Sequence, residues 1–223
     1  MSEFAVARQN MVESQVRASG VTDPRVIAAM QAVPREAFVP EARQTLAYLG
    51  EDLRVRDAEG GVAARYLMEP RTIAKLAELA DVQAADLVLD IGPATGYSTA
   101  VFARLADTVV AVECDHDLAE FASKALQKLG ADNAVVTEGA LADGNAKQGP
   151  FDVIVLNGAV SEVPQSLLDQ LKEGGRLVAV VRDGSAGKAR LYTKFHGTIG
   201  QRDGFDAGTR LLPGFEKVAT FSF

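Results

Sequence analysis

Residues 87–98, Leu-Val-Leu-Asp-Ile-Gly-Pro-Ala-Thr-Gly-Tyr-Ser, constrain the fold more than any other stretch of the chain. Leu87 to Asp90 have the branching and alternation of a buried strand, Gly92 and Gly96 bracket a tight turn, and the residues after Gly96 read as a helix. A strand that turns on glycine into a helix leaves free backbone N–H groups and the positive helix end facing one crevice, a ready cradle for a ligand. Asp90 ends the strand at the rim of that crevice, where a carboxylate attracts an ammonium group and repels a phosphate. The dinucleotide pattern G-x-G-x-x-G is not met, because Ala94 and Tyr97 stand where its later glycines belong.

The run Thr108-Val-Val-Ala-Val-Glu113 reads as the next strand, and Glu113 lies 21 residues beyond Gly92. An acidic residue about 20 residues past the turn is placed to accept hydrogen bonds from ribose hydroxyls. The order D-x-G-x-A-x-G is similar to the first motif of S-adenosylmethionine-dependent methyltransferases, whose ligand carries an amino acid and no phosphate.

In an open α/β sheet the residues that end each strand are the binding candidates. Asp90, Gly92, Pro93, Ala94 and Gly96 follow the first strand. Glu113 ends the second, and Cys114 after it either touches a bound nucleoside or packs as a small buried hydrophobe. Glu138 and Gly139 follow the strand over 134–137, where a carboxylate can accept the exocyclic amine of adenine; a solvated loop glutamate is the rival reading. Asn157-Gly158-Ala159 follows the strand over 151–156 and faces the position of a transferred methyl, with structural capping as the alternative. Asn157-Gly-Ala-Val160 is not the Asp/Asn-Pro-Pro-aromatic run of enzymes that methylate base amino groups. No acidic cluster of the metal-assisted class is legible, and no metal is expected. His116 and His196 are isolated and read as surface or capping residues.

Around this core, Met1 to about Ala47 reads as helical. Phe4, Ala7, Met11 and Ser14 share a face, Gly20 is a stop, and Thr22-Asp23-Pro24 starts a helix with a cap and proline in the first turn. Pro34 ends that helix and Pro40 opens another. Residues 50–64 read as a loop or irregular extension. Pro70 restarts a helix with Ile73, Leu76, Ala77 and Ala80 inward. Helices are then expected over 98–105, over 115–129 with a stripe of Leu118, Phe121, Ala122, Ala125 and Leu129, and over 164–172. Further strands are expected over 176–181, 190–195 and 216–223, and Phe223 packs in the last. The expected architecture is Rossmann-like α/β: a doubly wound, mostly parallel seven-stranded sheet with helices on both faces and an antiparallel C-terminal strand. One domain spans 1–223, with a helical extension over 1–80 and the cofactor-binding core over 81–223.

With 48% hydrophobic and 24% charged residues the chain has an ordinary globular profile. A net charge of −7 argues against a nucleic-acid partner. No apolar run approaches a membrane span, and the first twenty residues lack a signal-peptide core. Cys114 is the only cysteine, so a reducing cytoplasm is the expected home.

Several runs together resemble the protein-L-isoaspartate O-methyltransferase family over residues 9–181. They are Met11-Val-Glu-Ser-Gln-Val-Arg-Ala-Ser-Gly20, Ala32-Val-Pro-Arg-Glu-Ala-Phe-Val-Pro40, the cofactor motifs at 89–97 and 110–113, and Leu167 to Val178. The resemblance implies methyl transfer from S-adenosylmethionine, with S-adenosylhomocysteine as product, to the free carboxylate of isoaspartyl residues in damaged proteins. An ionised carboxylate needs no general base, so catalysis reduces to excluding water and aligning oxygen, methyl carbon and sulfur. The family carries Gly-Gln-Thr-Ile-Ser-Gln-Pro before the helix that precedes the first core strand; here Ala64-Arg-Tyr-Leu-Met-Glu-Pro70 stands there. Met68 takes the serine's position, which in the family borders methyl transfer, and a thioether cannot donate a hydrogen bond to a carboxylate. The resemblance places the cofactor against Tyr66, Leu67 and Met68, and the reaction beside Met68 and Asn157. Arg65 or Arg71 is a candidate for gripping a substrate carboxylate, against a plain surface role. Three further readings stay open: a methyltransferase on a small molecule, a cofactor-binding protein without repair activity, and, disfavoured by Tyr97, a nicotinamide oxidoreductase. A monomer or weak homodimer is expected.

Overall fold

A computed structural model describes residues 2–59, 63–184 and 186–216. The expected strand over 216–223, with Phe223, lies outside the described residues apart from Glu216. The N-terminal region is helical as expected. Helix α1 (Glu3–Met11) continues through a π-turn over Val12–Val16 and a 3-10 turn over Arg17–Ser19 to Gly20, whose φ of +90° ends it. Helix α2 (Pro24–Ala32) starts on Asp23, whose side chain accepts the Arg25 N–H, and buries Val26, Ile27 and Met30. Short 3-10 turns cover Arg35–Phe38 and Glu41–Leu46.

Residues 50–64 are not merely irregular. Strand β1 (Leu53–Arg56) pairs antiparallel with β2 (Arg65–Leu67). Their alternation is short and broken by charge, which hides them from a periodicity argument. Helix α3 (Pro70–Ala80) comes next, with Ile73, Leu76, Ala77 and Ala80 buried.

The core then alternates as expected: β3 (Leu87–Ile91), α4 (Tyr97–Ala103), β4 (Thr108–Glu113), α5 (His116–Leu129), β5 (Ala134–Glu138), β6 (Phe151–Val160), α6 (Gln165–Leu168) and β7 (Leu171–Asp183). Two antiparallel strands close the sheet, β8 (Ala186–Phe195) and β9 (Thr198–Asp206). Strand β9 is not legible in the sequence, because only Ile199 and Phe205 of its apolar side chains approach the core and the rest is exposed. Helix α6 is four residues, not the nine expected, because Leu171 already belongs to β7. In α5 the buried stripe is Leu118, Ala119, Ala122 and Leu126, whereas Phe121 is exposed.

The strands run in the order β5-β4-β3-β6-β7-β8-β9, parallel from β5 to β7. Strand alternation separates two apolar layers. Val88, Val109, Val153 and Val178 meet the N-terminal segment and α3 to α5 on one face. Leu89, Val110, Ile154 and Leu177 meet Leu141, Leu167, Leu168, Leu212 and Phe215 on the other. The chain winds outward from β3 to β5 and returns to β6 on the other side of β3, so the switch point lies at the carboxyl ends of β3, β4 and β6. No described helix is long and apolar enough to cross a membrane.

Candidate active site

The glycine turn after β3 is built as the spacing implied. Gly92 and Gly96 have φ of +71° and +94°, and Ala94 between them has φ of +52°, a left-handed conformation that strains a residue with a side chain. The two glycines serve different neighbours. A Cβ on Gly92 would come within 2.8 Å of Leu212 Cδ2 and 3.4 Å of Arg65 Nη2, inside the crevice. A Cβ on Gly96 would stand 2.9 Å from the Ala122 Cβ, so Gly96 lets α5 pack close.

Glu113 is completely buried at the end of β4. Its Oε2 accepts the Ala94 N–H at 2.8 Å, and its Oε1 accepts the Cys114 and Asp115 N–H groups at 2.8 and 3.1 Å. Across the crevice Arg65, the first residue of β2, forks onto both oxygens, with Nη1 on Oε1 and Nη2 on Oε2 at 2.9 Å. Arg65 Nη2 also donates to the Gly92 carbonyl at 3.3 Å. Bidentate pairing of this kind is the strong form of the arginine–carboxylate contact.

Asp90 does not present a free carboxylate to an ammonium group, which corrects the expectation from its position. It is fully buried, with Oδ2 accepting from Ser98 Oγ at 2.9 Å and Thr99 Oγ1 at 2.7 Å, and Oδ1 accepting from Asn157 Nδ2. Burial pushes its pKa up to about 6, against the pull of these three donors. Asp90 therefore ties the first turn of α4 to the end of β6.

Of the other expected residues, Tyr66 and Met68 line the crevice with Asn157. Met68 is buried, and its carbonyl accepts Arg35 Nη2 at 2.9 Å. Leu67 packs in the apolar core instead. Cys114 is exposed, not a buried hydrophobe, although its Sγ lies 3.4 Å from Arg65 Nη1. Pro93 accepts the Gly96 N–H through its carbonyl at 2.9 Å, and Gly139 donates to the Glu113 carbonyl at 3.0 Å. Glu138 is exposed, with Oε2 2.9 Å from His116 Nδ1. Arg71 takes the surface reading and pairs with Glu69 at 2.9 Å. Among the described residues no group of three His, Cys, Asp or Glu side chains is arranged to hold a metal ion.

Sequence reasoning missed the strap at 209–212. The Ala159 N–H donates to the Arg210 carbonyl and the Leu212 N–H to the Ala159 carbonyl, each at 2.8 Å, which lays this segment along the end of β6. Leu212 packs onto Gly92 and Gly158, where a Cβ would clash at 2.8 and 2.7 Å. Asp52 locks the strap down: Oδ1 accepts the Glu69 N–H at 2.9 Å, and Oδ2 accepts Thr209 Oγ1 at 2.7 Å and the Arg210 N–H at 3.1 Å. Gly158, unexplained by its strand, is the one sign of a close neighbour in the sequence. A cavity of only about 10 Å3 remains between Arg65, Tyr66, Met68, Asn157 and the strap, room for about one water.

The donor set suits a nucleoside of the kind the strand ends implied. Glu113 brings a carboxylate to the strand end beside the Gly92 turn, the missing side chain of Gly92 leaves its backbone approachable, and Asn157 lines the same crevice. The cradle that a Cβ on Gly92 would fill is taken up by Arg65 and Leu212, so a nucleoside fits once these two side chains move.

A sequence model of the protein-L-isoaspartate(D-aspartate) O-methyltransferase family matches residues 7–206. A protein-L-isoaspartate O-methyltransferase of Methanoculleus marisnigri is 40% identical over 174 residues, 78% of this chain and 76% of that one. A second such protein, from Pelobacter propionicus, is 35% identical over 206 residues, 92% of this chain and 89% of its own. Among solved structures, a protein-L-isoaspartate O-methyltransferase superposes with a TM-score of 0.81 at 26% identity, over 93% of this chain and 66% of that one. A Plasmodium falciparum structure superposes with a TM-score of 0.75 at 22% identity, over 95% of this chain and 99% of that one, and shares the fold. The family's methyl donor is S-adenosylmethionine. With most of its length matched by relatives of one kind and its fold shared with theirs, the chain belongs to the protein-L-isoaspartate O-methyltransferase family.

Proposed function

We propose that the chain is an S-adenosylmethionine-dependent O-methyltransferase that acts on the side-chain carboxylate of isoaspartyl residues. The observation that carries this reading is the pairing of the Gly92 turn with Glu113 across adjacent parallel strands at the switch point of the sheet. S-Adenosylmethionine supplies an electrophilic methyl on a sulfonium. Glu113 would hold the ribose hydroxyls, the Gly92–Ala94 backbone would lie along the nucleoside, and Tyr66 and Met68 would cover the site from β2 and the residue after it. Asn157, fixed by Asp90, would border the acceptor. These side chains exclude water and set direction; none has to remove a proton, because the acceptor carboxylate is ionised at neutral pH. A cleft of about 340 Å3 on the other side of the strap, lined by Glu69, Ala159, Arg182, Thr209 and Arg210, gives an acceptor peptide an approach.

Met68 in place of the family serine, with Arg65 beside it, favours a second reading in which the crevice serves another acceptor or binds cofactor without repair. Transfer of tritiated methyl to an isoaspartyl peptide and its aspartyl twin separates the two. Base-labile label on the isoaspartyl peptide alone supports repair, and cofactor binding without label on either peptide overturns it. The same proposal holds the protein to be a cytoplasmic monomer or weak homodimer that handles damaged polypeptides, not nucleic acid.

A further inference from the structure

The crevice already has an occupant, and the chain supplies it. Arg65 and Glu113 are both buried, and the guanidinium uses both carboxylate oxygens together with the Gly92 carbonyl. Three backbone N–H groups take lone pairs of the same carboxylate. A ribose placed on Glu113 needs the lone pairs that Arg65 holds, and a nucleoside lying against Gly92 needs the volume that Arg65 and Leu212 fill. The two arrangements exclude one another.

The two obstructing side chains are also tied together. Arg65 begins β2, which pairs with β1, and Asp52 just before β1 grips Thr209 and Arg210 of the strap that carries Leu212. The Arg210 guanidinium rests 5.3 Å from the Tyr66 ring centre, a second link between β2 and the strap. Motion of the hairpin away from β4 therefore draws on the strap as well.

We propose that Arg65 is an intramolecular ligand of the nucleoside subsite: it neutralises Glu113 in the ligand-free chain, and the cofactor's ribose binds by displacing it. This rests on the methyltransferase reading above and adds to it a residue that sets how tightly, and when, the site takes its cofactor. Opening is then a movement of β1, β2 and the strap as a unit.

The test is calorimetric titration of the full chain with S-adenosylhomocysteine, comparing the unaltered protein with Arg65→Ala and Leu212→Ala. Because apparent affinity falls by the fraction of molecules that are open, Arg65→Ala is expected to bind on the order of 10-fold tighter or more, and Leu212→Ala by a smaller factor. S-Adenosylhomocysteine should also raise the unfolding midpoint of Arg65→Ala more than that of the unaltered chain at equal concentration. If Arg65→Ala does not fold, Arg65→Met carries the test, since it frees the lone pairs that Arg65 holds on Glu113 while keeping most of the stem's packing. Unchanged or weaker affinity in the folded variants, with the unaltered chain binding normally, overturns the displacement idea and leaves the methyltransferase reading standing. Folded proteins that all fail to bind overturn both.

Discussion

Replacing Arg65 with methionine keeps most of the stem's volume and removes the charge, which isolates what the guanidinium contributes in the absence of ligand. Breaking one side of a buried ion pair usually costs about 3–5 kcal/mol, because the other charge is left without its counter-ion. Glu113 retains three backbone donors, from Ala94, Cys114 and Asp115, so the loss should fall at the lower end, about 3 kcal/mol. For a chain of this length that corresponds to a fall of roughly 6–12 °C in Tm. Urea unfolding monitored by circular dichroism measures it directly. Glu113→Gln in the Arg65→Met background removes the stranded charge while keeping an acceptor oxygen, and should recover much of the loss. A single-variant loss below about 1 kcal/mol, or no recovery in the double variant, would refute a tightly buried, mutually dependent pair.

Three further outcomes are expected from the same geometry. Asp90, raised from 3.8 to about 6 by burial, holds more protons folded than unfolded between those values, so its contribution to stability falls as pH rises through that window and is flat above it. Asp90→Asn should remove that slope, and the stability difference between variant and parent should change by up to about 3 kcal/mol from pH 4 to 7; a pH-independent difference in urea midpoints contradicts it. Asp52→Ala deletes three hydrogen bonds to Glu69, Thr209 and Arg210, which should cost about 2 kcal/mol and speed amide exchange at Arg210 and Leu212; unchanged exchange there argues against the strap's anchoring. Met68→Ser alone should leave isoaspartyl methylation little changed, because Arg65 and Tyr66 still differ from the residues the family carries beside its serine; a large gain in kcat would show that the thioether was the obstacle.

Backbone periodicity and glycine geometry are what the sequence makes legible. The Leu87–Ile91 and Thr108–Glu113 strands, the turn at Gly92 and the cap at Asp23 each carry local signals, and each is present in the structure. Strands β1, β2 and β9 are harder, because Arg54, Arg56 and Arg65 and the exposed side chains of β9 replace the apolar alternation by which strands are read. Glu113 is found by its spacing from the turn, yet its partner is not, since 48 residues separate it from Arg65. Asp90 shows the same limit. Its place at a strand end points to a ligand, while Ser98, Thr99 and Asn157 claim its oxygens. Leu212 lies in a stretch without periodicity, and only the crowding at Gly92 and Gly158 reveals it.

Diffraction from crystals of the unaltered chain grown with saturating S-adenosylhomocysteine tests the account most directly. Ribose density is expected on the Glu113 carboxylate and the nucleoside along the Gly92 turn, with Arg65 and Leu212 turned out of the crevice. Ligand density at another place on the protein, or Arg65 still paired with Glu113 beside a bound nucleoside, would contradict it.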